Sequence, residues 1–484
     1  MKPVWLAFLA AATLTACTQP SPERQVIDDA ASALGGRDKV LAVKTLVIEG
    51  EGTNGNLGQD VTPEAASQTF GVTFTRAVDL AAGRTRTEQT RTPNFPYFQG
   101  QAPQKQAQGI DGEVGYNVAG SNATRISNAA AKDRRMEMYH HPLTIVRAAL
   151  DPAAKLANPR TQDNQRVVDV TTANGLAFTL AIDATSKLPT RVVSMADNTN
   201  LGDVAIETSF ADYQDANGLK LPARLTTRTD KYTTAELRVT KQGVDGVVGD
   251  LAAPPAAASA APISAPPPAT VAVEAVAKGI WYLAGQSHHS VLVEFNDHLM
   301  LIETPQNDTR ALAVIGKAKE LRPGKPLTIV VNSHHHFDHS GGIRAAVAGG
   351  LTVATQKASG PFYTDAMQRS HTIARDALAA APRPLKLQMI DDEAVFTDGT
   401  MTVNVYHIIG SPHADTLLMA YFPRERLLVE ADVFNPGAAV NQFAANLLEN
   451  IKKRNLRVDR ILPLHGKIAP YADLVKTVEA VATN

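Results

Sequence analysis

Four candidate metal ligands fall within six residues of this 484-residue chain, directly after an apolar run. The ligands are His334, His336, Asp338 and His339, and the run is Leu327–Val331. The β-branched run predicts a buried strand, and Ser340-Gly341-Gly342 opens an alanine-rich stretch that predicts a helix. The ligands should therefore lie on a strand-to-helix loop, at the sheet edge where open α/β folds place their chemistry. Imidazole and carboxylate groups suit zinc.

The plainest alternative is a surface histidine cluster that binds metal adventitiously. The spacing argues against it, because four ligand types rarely fall together by chance. The motif His-x-His-x-Asp-His also resembles the signature of the metallo-beta-lactamase superfamily, which has three more ligands downstream. Three candidates follow in the expected order: His413 within 410–415, Asp432 at the end of the apolar run 427–431, and His465 within 461–466. The resemblance covers roughly residues 272–484.

This resemblance implies a zinc-dependent hydrolase with two zinc ions per chain. Carried over residue by residue, one zinc would bind His334, His336 and His413, the second would bind Asp338, His339 and His465, and Asp432 would bridge them. Paired metals depress the pKa of a shared water toward ~7, so a hydroxide could attack a lactone, thioester, ester or β-lactam bond of a small molecule. Asp338 is the candidate catalytic group that orients this water and carries a proton.

The family also implies a four-layer αββα sandwich. Short apolar runs predict its strands, and a stripe of apolar residues from Ala311 to Leu321 predicts a helix. A second helix after Pro436 would bury Val440, Phe443, Leu447 and Ile451. The predicted strands are 290–295, 299–302, 327–331, 402–406, 417–422 and 426–429.

The remaining histidines near the motif and the cysteine count further define the predicted site. His288 and His289 lie in a turn before an apolar run and are candidates for contact with substrate. His335 should point away from its neighbours, which favours a structural role over ligation. Cys17 is the only cysteine, so the C-terminal region has no thiolate ligand. Asp432 also excludes the group of true metallo-beta-lactamases that carries cysteine at this position.

Residues 1–17 have the pattern of a lipoprotein signal peptide. A basic start and a short apolar run precede Leu14-Thr15-Ala16-Cys17, which resembles a bacterial lipoprotein box with Cys17 as the lipidated residue. Thr18 favours the outer membrane of a Gram-negative bacterium, with the protein facing the periplasm. The alternative is a soluble periplasmic protein. No other apolar run approaches the ~20 residues needed to span a bilayer.

An alanine- and proline-rich segment, 251–270, divides the mature chain. Its composition predicts a semi-rigid linker between residues 18–250 and the hydrolase domain at 271–484. The first part has a predicted helix at 23–34 and alternating runs at 45–50, 167–170, 178–183 and 237–239, which predict a mostly antiparallel β domain. It resembles the unclosed half-barrel of periplasmic lipoprotein carriers. A net charge of -1 without a basic stripe gives no sign of nucleic-acid binding.

The half-barrel resemblance suggests a second class of function. The chain could be an envelope lipoprotein that binds lipid or another hydrophobic ligand, with the hydrolase domain secondary. The complete ligand set argues against this alternative. Because every candidate ligand follows the linker, we expect the segment from Thr270 to fold, keep its metals and retain most turnover, with residues 18–250 as spacer, apolar-ligand binder or docking surface.

Overall fold

The computed structural model describes residues 20–97, 100–265, 268–438 and 440–482. The predicted signal peptide and Cys17 lie outside the described residues. Within the described part, no helix is both long and apolar enough to cross a membrane.

The N-terminal part is one large antiparallel sheet of thirteen strands. Buried residues alternate along its strands, as Leu46 and Ile48 do in the first. The strands are β1 (Thr45–Gly55), β2 (Thr69–Asp79), β3 (Arg84–Pro93), β4 (Gln104–Asp111), β5 (Val114–Ala119), β6 (Asn122–Arg125), β7 (Lys155–Gln162), β8 (Gln165–Thr171), β9 (Ala177–Asp183), β10 (Pro189–Asn198), β11 (Gly202–Ala216), β12 (Leu219–Thr229) and β13 (Tyr232–Val244). Their order is β6-β5-β4-β3-β2-β1-β13-β12-β11-β10-β9-β8-β7. Strands β6 and β7 remain as edges, so the described residues form an open sheet rather than a closed barrel, as predicted.

Helices cover one face of this sheet. They are α1 (Pro22–Leu34), α2 (Arg37–Ala42), α3 (Asn128–Glu137) and α4 (Pro142–Leu150). Helix α1 confirms the predicted helix at 23–34, and it buries Val26, Ile27, Ala30 and Leu34 at helical spacing. It ends at Gly35, where φ is +129° and an added Cβ would lie 2.4 Å from the Gly218 carbonyl oxygen. Glycine permits both the turn and this close approach.

The first half of the alanine- and proline-rich segment, predicted as a semi-rigid linker, packs on the N-terminal sheet. It contains a short helix, α5 (Pro255–Ser259), and buries Ala253 and Ala257 beside Tyr116. The Tyr116 hydroxyl donates to the Leu251 carbonyl at 3.3 Å. Alanine side chains are small enough to lie close against the sheet, so composition alone does not keep this segment extended in solvent.

The C-terminal part contains two sheets with helices on both outer faces. The first sheet has the order β14 (Ala272–Ala277), β15 (Ile280–Ala284), β16 (Ser290–Glu294), β17 (Leu299–Ile302), β18 (Leu327–Val331), β19 (Thr352–Gln356) and β20 (Leu387–Ile390). The second has β21 (Glu393–Thr397), β22 (Thr402–His407), β23 (Leu418–Phe422), β24 (Leu427–Glu430), β25 (Arg460–Pro463) and β26 (Ala469–Pro470). Val291 and Val293 face Val403 and Val405 in the core between them. The predicted αββα sandwich is confirmed.

The outer helices complete the four layers. They are α6 (Asp308–Leu321), α7 (Phe337–Ser340), α8 (Ile343–Ala348), α9 (Gly360–Gln368), α10 (Ala377–Ala380), α11 (Ala444–Lys453) and α12 (Tyr471–Ala482), with a 3₁₀ turn at Lys357–Ser359. The stripe Ala311, Val314, Ile315 and Ala318 of α6 is buried as predicted.

The prediction of a helix after Pro436 that includes Val440 and Phe443 is wrong at its start, since α11 begins only at Ala444. Val440 lies half-buried before the helix, and Phe443 is its N-cap. The Asn441 side chain accepts a hydrogen bond from the Asn435 amide at 2.8 Å and donates to the Asn435 carbonyl at 3.1 Å. Such local side-chain bonds compete with a helix and hold this stretch as a loop.

Candidate metal centre

The predicted ligands converge because parallel strands end at one edge of the sandwich. In the first sheet β17 and β18 run parallel, and the motif of His334 follows β18. In the second sheet β24 and β25 run parallel and end just before Asp432 and His465. The side chains form two groups, with ligand atoms within 4.8 Å of one another in each. The first group is His334, His336, His413 and Asp432, and the second is His288, Asp338, His339 and His465.

Asp432 lies between the two groups. Its Oδ2 is 3.1 Å from His413 Nε2 in the first group and 2.9 Å from His339 Nε2 in the second. Its Oδ1 is 3.0 Å from His465 Nε2. Burial alone would raise the pKa of Asp432, but His339 and His465 outweigh it and hold the pKa well below its ordinary value. Asp432 is therefore an ionised carboxylate within reach of both groups.

The backbone of Asp432 is in the left-handed region, with φ at +62°. Aspartate and asparagine tolerate this conformation better than most residues with a side chain. The turn points the carboxylate away from the end of β24 and toward the histidines.

The hydrogen bonds around the histidines leave ring nitrogens free for a metal. His339 Nδ1 donates to Glu303 Oε2 at 2.7 Å, and its Nε2 faces Asp432 Oδ2 at 2.9 Å. His336 Nε2 donates to the Asp60 carbonyl at 2.8 Å, and its buried Nδ1 is without a partner among the described residues. Imidazole binds metal through such a lone pair while its other nitrogen donates to an oxygen. His339 Nε2, beside a carboxylate, and His336 Nδ1 both fit a metal site.

The charges in the pocket also fit a cation. Burial is the main cause that lowers the pKa of His334 and of His336 well below the ordinary value, so both rings are neutral. The pKa of His339 shifts in the other direction. Burial lowers it, but Asp432 and Asp338 outweigh burial and raise the pKa well above the ordinary value. The carboxylates of Asp432 and Asp338 thus require a positive charge nearby. A divalent cation would satisfy the same requirement.

His288, predicted as a candidate for contact with substrate, lies in the second group. Its Nε2 lies 3.0 Å from Asp338 Oδ2, and its ring centroid is 3.7 Å from that of His465. The turn before β16 delivers it to this position.

His289 and His335 lie outside both groups. His289 Nδ1 accepts from the Gly285 amide at 3.2 Å, the ring packs 5.1 Å from that of Tyr282, and burial lowers its pKa to about 4. The structure therefore does not bring His289 to the metal groups with His288. His335 lies 2.7 Å from the Thr416 hydroxyl and donates to the Asp60 carbonyl, which fits a structural role. The expectation that it points away from its neighbours is wrong, because His336 donates to the same carbonyl.

Glu303 is a site residue that the sequence reasoning missed. It is fully buried directly after β17 and accepts hydrogen bonds from Asn332 Nδ2 at 2.6 Å and from the Ser333 hydroxyl at 2.6 Å, besides His339 Nδ1. Its carboxylate thus holds both the start of the histidine loop and one of its rings. One feature of the sequence could have identified Glu303: it is a carboxylate that directly follows the apolar run of β17, and β17 pairs with β18.

Two further missed residues, Gln59 and Asp60, come from the N-terminal part. Gln59 Nε2 donates to Asp338 Oδ1 at 2.7 Å. They lie 279 and 276 positions from the residues they contact, Asp338 and His336, so no local pattern could have linked them.

The comparisons with known proteins identify the class of the C-terminal domain. The family model of the Metallo-beta-lactamase superfamily matches residues 283–441. The C-terminal domain of this chain belongs to that superfamily, and it has the hydrolase fold that the motif predicted. No curated protein matches the chain.

Solved structures resemble a part of the chain. The DIM-1 metallo-beta-lactamase is 17% identical and covers 44% of this chain and 97% of its own, with a TM-score of 0.33. A metallo-beta-lactamase from Pontibacter korlensis is 15% identical over 44% of this chain and 100% of its own, with a TM-score of 0.34. The sec-alkylsulfatase Pisa1 from Pseudomonas sp. is 20% identical over 43% of this chain and 40% of its own, with a TM-score of 0.33.

Proposed function

We propose that this protein is a zinc-dependent hydrolase that binds two zinc ions per chain and cleaves an ester-like or amide-like bond of a small molecule, such as a lactone, thioester, ester or β-lactam. The observation that carries the proposal is the convergence of two ligand groups on Asp432, which lies within 3.1 Å of histidine nitrogens from both. When bound, the two ions would supply Lewis acidity and lower the pKa of water toward ~7.

The ligand assignment follows the two groups. His334, His336 and His413 would hold one zinc, while Asp338, His339 and His465 would hold the other, with Asp432 between them. His288 lies close enough to Asp338 to compete as a ligand or to hold that carboxylate in place.

Asp338 is suited to the proton-transfer role. Its side chain is 35% exposed, whereas His339 beside it is fully buried, so Asp338 can reach substrate and solvent. Both of its oxygens are held, one by His288 Nε2 and the other by Gln59 Nε2. The two contacts fix the direction of the carboxylate, and a group that relays a proton between water and the leaving group requires a fixed position.

A cavity in the N-terminal part supports the second candidate function, binding of a lipid or other hydrophobic ligand. The cavity has a volume of about 470 Å³ and lies between one face of the large sheet and α3. Val72, Phe74, Leu225 and Leu237 contribute apolar surface to it, and none of its lining residues belongs to the two ligand groups. Mass spectrometry of the organic extract of purified protein tests this: a stoichiometric lipid would support it.

For location, we propose an envelope lipoprotein anchored through Cys17 and facing the periplasm. The support is the lipoprotein box in the sequence alone.

Metal analysis and a substrate panel test the main proposal. We expect about two zinc equivalents per chain by elemental analysis, loss of activity with a chelator and its recovery with zinc. His336→Ala should lower the zinc content, whereas His298→Ala, outside both groups, should not. The panel should contain lactone, thioester, phosphodiester, sulfate-ester and β-lactam substrates. Active protein without bound transition metal would contradict the proposal.

A further inference from the structure

A loop of the N-terminal sheet forms part of the metal cleft. Residues 56–68 connect β1 to β2, and we call them the cleft loop. The Phe337 amide donates to the Gly58 carbonyl at 3.0 Å, and the Asp415 amide donates to the Val61 carbonyl at 2.9 Å. The cleft loop thus bonds to the segments that carry the His336 and His413 ligands.

Asp60 fixes the shape of the cleft loop. Its side chain is buried and accepts hydrogen bonds from the amides of Val61 at 2.8 Å, Ser67 at 2.6 Å and Gln68 at 2.8 Å. The Ser67 hydroxyl adds a bond of 3.0 Å to the same carboxylate. Because the side chain holds both ends of the loop together, the Asp60 carbonyl has a fixed direction.

That carbonyl sets the orientation of a candidate ligand. The Asp60 carbonyl oxygen lies 2.8 Å from His336 Nε2 and 2.9 Å from His335 Nε2. A carbonyl oxygen can only accept, so His336 Nε2 must carry the proton and Nδ1 must carry the lone pair. Nδ1 is the buried nitrogen for which the described part of the chain offers no partner. The cleft loop therefore selects the ring tautomer in which His336 can bind metal through Nδ1.

Gln59 acts on the second group. Its Nε2 donates to Asp338 Oδ1 at 2.7 Å, while His288 Nε2 lies 3.0 Å from Oδ2. The two contacts approach the carboxylate from different parts of the chain and restrict its rotation.

The cleft loop is docked rather than loosely placed. Gly58 has φ at +77°, and an added Cβ would lie 2.2 Å from the Phe337 ring. A second attachment lies nearby, where Asn200 Nδ2 donates to the Ser340 hydroxyl at 2.6 Å. Asp203 also accepts from the Thr372 hydroxyl at 2.6 Å. Close packing and several hydrogen bonds hold the N-terminal sheet against this side of the sandwich.

We propose that the N-terminal domain completes the metal centre, with Asp60 and Gln59 as positioning residues for His336 and Asp338. This inference rests on the proposed zinc-hydrolase function. It also replaces the expected division of labour, in which residues 18–250 were a spacer, ligand binder or docking surface. The segment from Thr270 contains the ligands but lacks the groups that orient two of them.

Substitutions in the full-length protein test the inference. Asp60→Ala removes the acceptor that shapes the loop, and Asp60→Asn keeps its size while placing a donor opposite the amides. Both should weaken zinc binding by about tenfold to a hundredfold. The affinity is measured by competition with a chromophoric chelator. The absorption spectrum of the cobalt-substituted protein should also change, because the position of His336 changes. Circular dichroism shows whether each variant is folded.

Gln59→Ala should have a different effect. We expect zinc content to stay near the parent value while kcat falls about tenfold and KM changes less, because Asp338 loses one of two restraints. Glu64→Ala is the matched control, since Glu64 is exposed on the same loop. It should leave zinc affinity, cobalt spectrum and kcat unchanged.

The outcomes separate this inference from the proposed function. If folded Asp60→Asn and Gln59→Ala proteins match the parent in zinc affinity, cobalt spectrum and kcat, the cleft loop has no positioning role, although the parent remains a zinc hydrolase. If the parent itself binds no transition metal, the proposed function has failed. Should Asp60→Ala not fold, Asp60→Asn and Gln59→Ala decide the question.

Discussion

At the scale of single residues, Asp432 is the carboxylate that contacts histidines of both ligand groups. It is within 3.1 Å of a histidine in each group, and it occupies a left-handed backbone conformation. The contacts require a negative charge at this position, and the backbone requires a residue that tolerates the left-handed conformation. Substitutions can distinguish these two requirements.

We expect Asp432→Ala to lower hydrolysis by roughly a hundredfold or more and to weaken the second metal, because both groups lose their shared carboxylate. Asp432→Asn is the matched variant, since asparagine also tolerates the left-handed backbone but carries no charge. It should lose activity to a similar extent with less loss of stability. Asp432→Cys should retain part of the zinc binding, because thiolate is also a zinc ligand. Steady-state kinetics and elemental analysis measure these effects, and unchanged turnover in Asp432→Ala would show that another residue joins the metals.

The residues that could be found from the sequence are those with a local pattern. His334, His336, Asp338 and His339 fall within six residues, although the structure places Asp338 and His339 in the short helix α7 rather than on the predicted loop. Asp432 and His465 each end an apolar run. Glu303 also ends an apolar run, but a lone carboxylate gives no sign of the three residues that donate to it. Gln59 is one polar residue in a polar loop, and only the three-dimensional contact with Asp338 gives it a role.

At the scale of elements, apolar alternation predicted some strands and missed others. The alternation of Leu46 and Ile48 predicts β1, and the alternation of Val168 and Val170 predicts β8. Strand β3 instead reads Arg-Thr-Arg-Thr-Glu-Gln-Thr-Arg-Thr-Pro and buries threonines such as Thr85 and Thr87. Its partners in the sheet, and not its own apolar content, make it a strand. The order of the strands could not be predicted from the sequence either. Strand β1 pairs with β13, and most of the N-terminal part lies between them in the chain.

The segment between α3 and α4 carries a pH-dependent contact with the sheet. His140 is buried, and its nitrogens lie 2.9 Å from the hydroxyls of Thr208 in β11 and Ser194 in β10. Burial lowers the pKa of His140 from 6.5 to about 4. Between these values the unfolded chain binds a proton that the folded chain does not. The free energy of unfolding therefore falls as the pH falls from 6.5 toward 4, and this loss is absent above pH 6.5.

We expect His140→Gln to remove part of this dependence. One proton corresponds to a slope of about 1.4 kcal/mol per pH unit, so the slope between pH 6.5 and 4 should decrease by up to that amount. His141, whose pKa burial lowers to about 3, is present in both proteins and leaves a residual slope. Urea unfolding followed by circular dichroism at several pH values gives the comparison. Equal slopes in variant and parent would contradict the role assigned to His140.

At the scale of the whole molecule, the sequence indicated two regions and the structure joins them at the metal cleft. The ligand motifs and the alanine- and proline-rich segment suggested that all chemistry follows residue 270. The cleft loop and the contact of Asn200 with Ser340 show that the first region also borders the ligands. Contacts between residues so far apart in the chain depend on how the sheet packs, which periodicity cannot reveal.

The remaining property of the whole molecule is its attachment to the membrane, which we propose to depend on Cys17. Lipidation requires the thiol, so Cys17→Ser should move the protein from the membrane fraction to the soluble fraction. Zinc content and activity should stay at parent values, because neither ligand group contains sulfur. Cell fractionation followed by immunoblotting and metal analysis measures both effects in one preparation. If the parent protein is already soluble, the lipoprotein proposal is wrong and the soluble periplasmic alternative takes its place, whereas loss of zinc in Cys17→Ser would show that the N-terminus influences the metal centre.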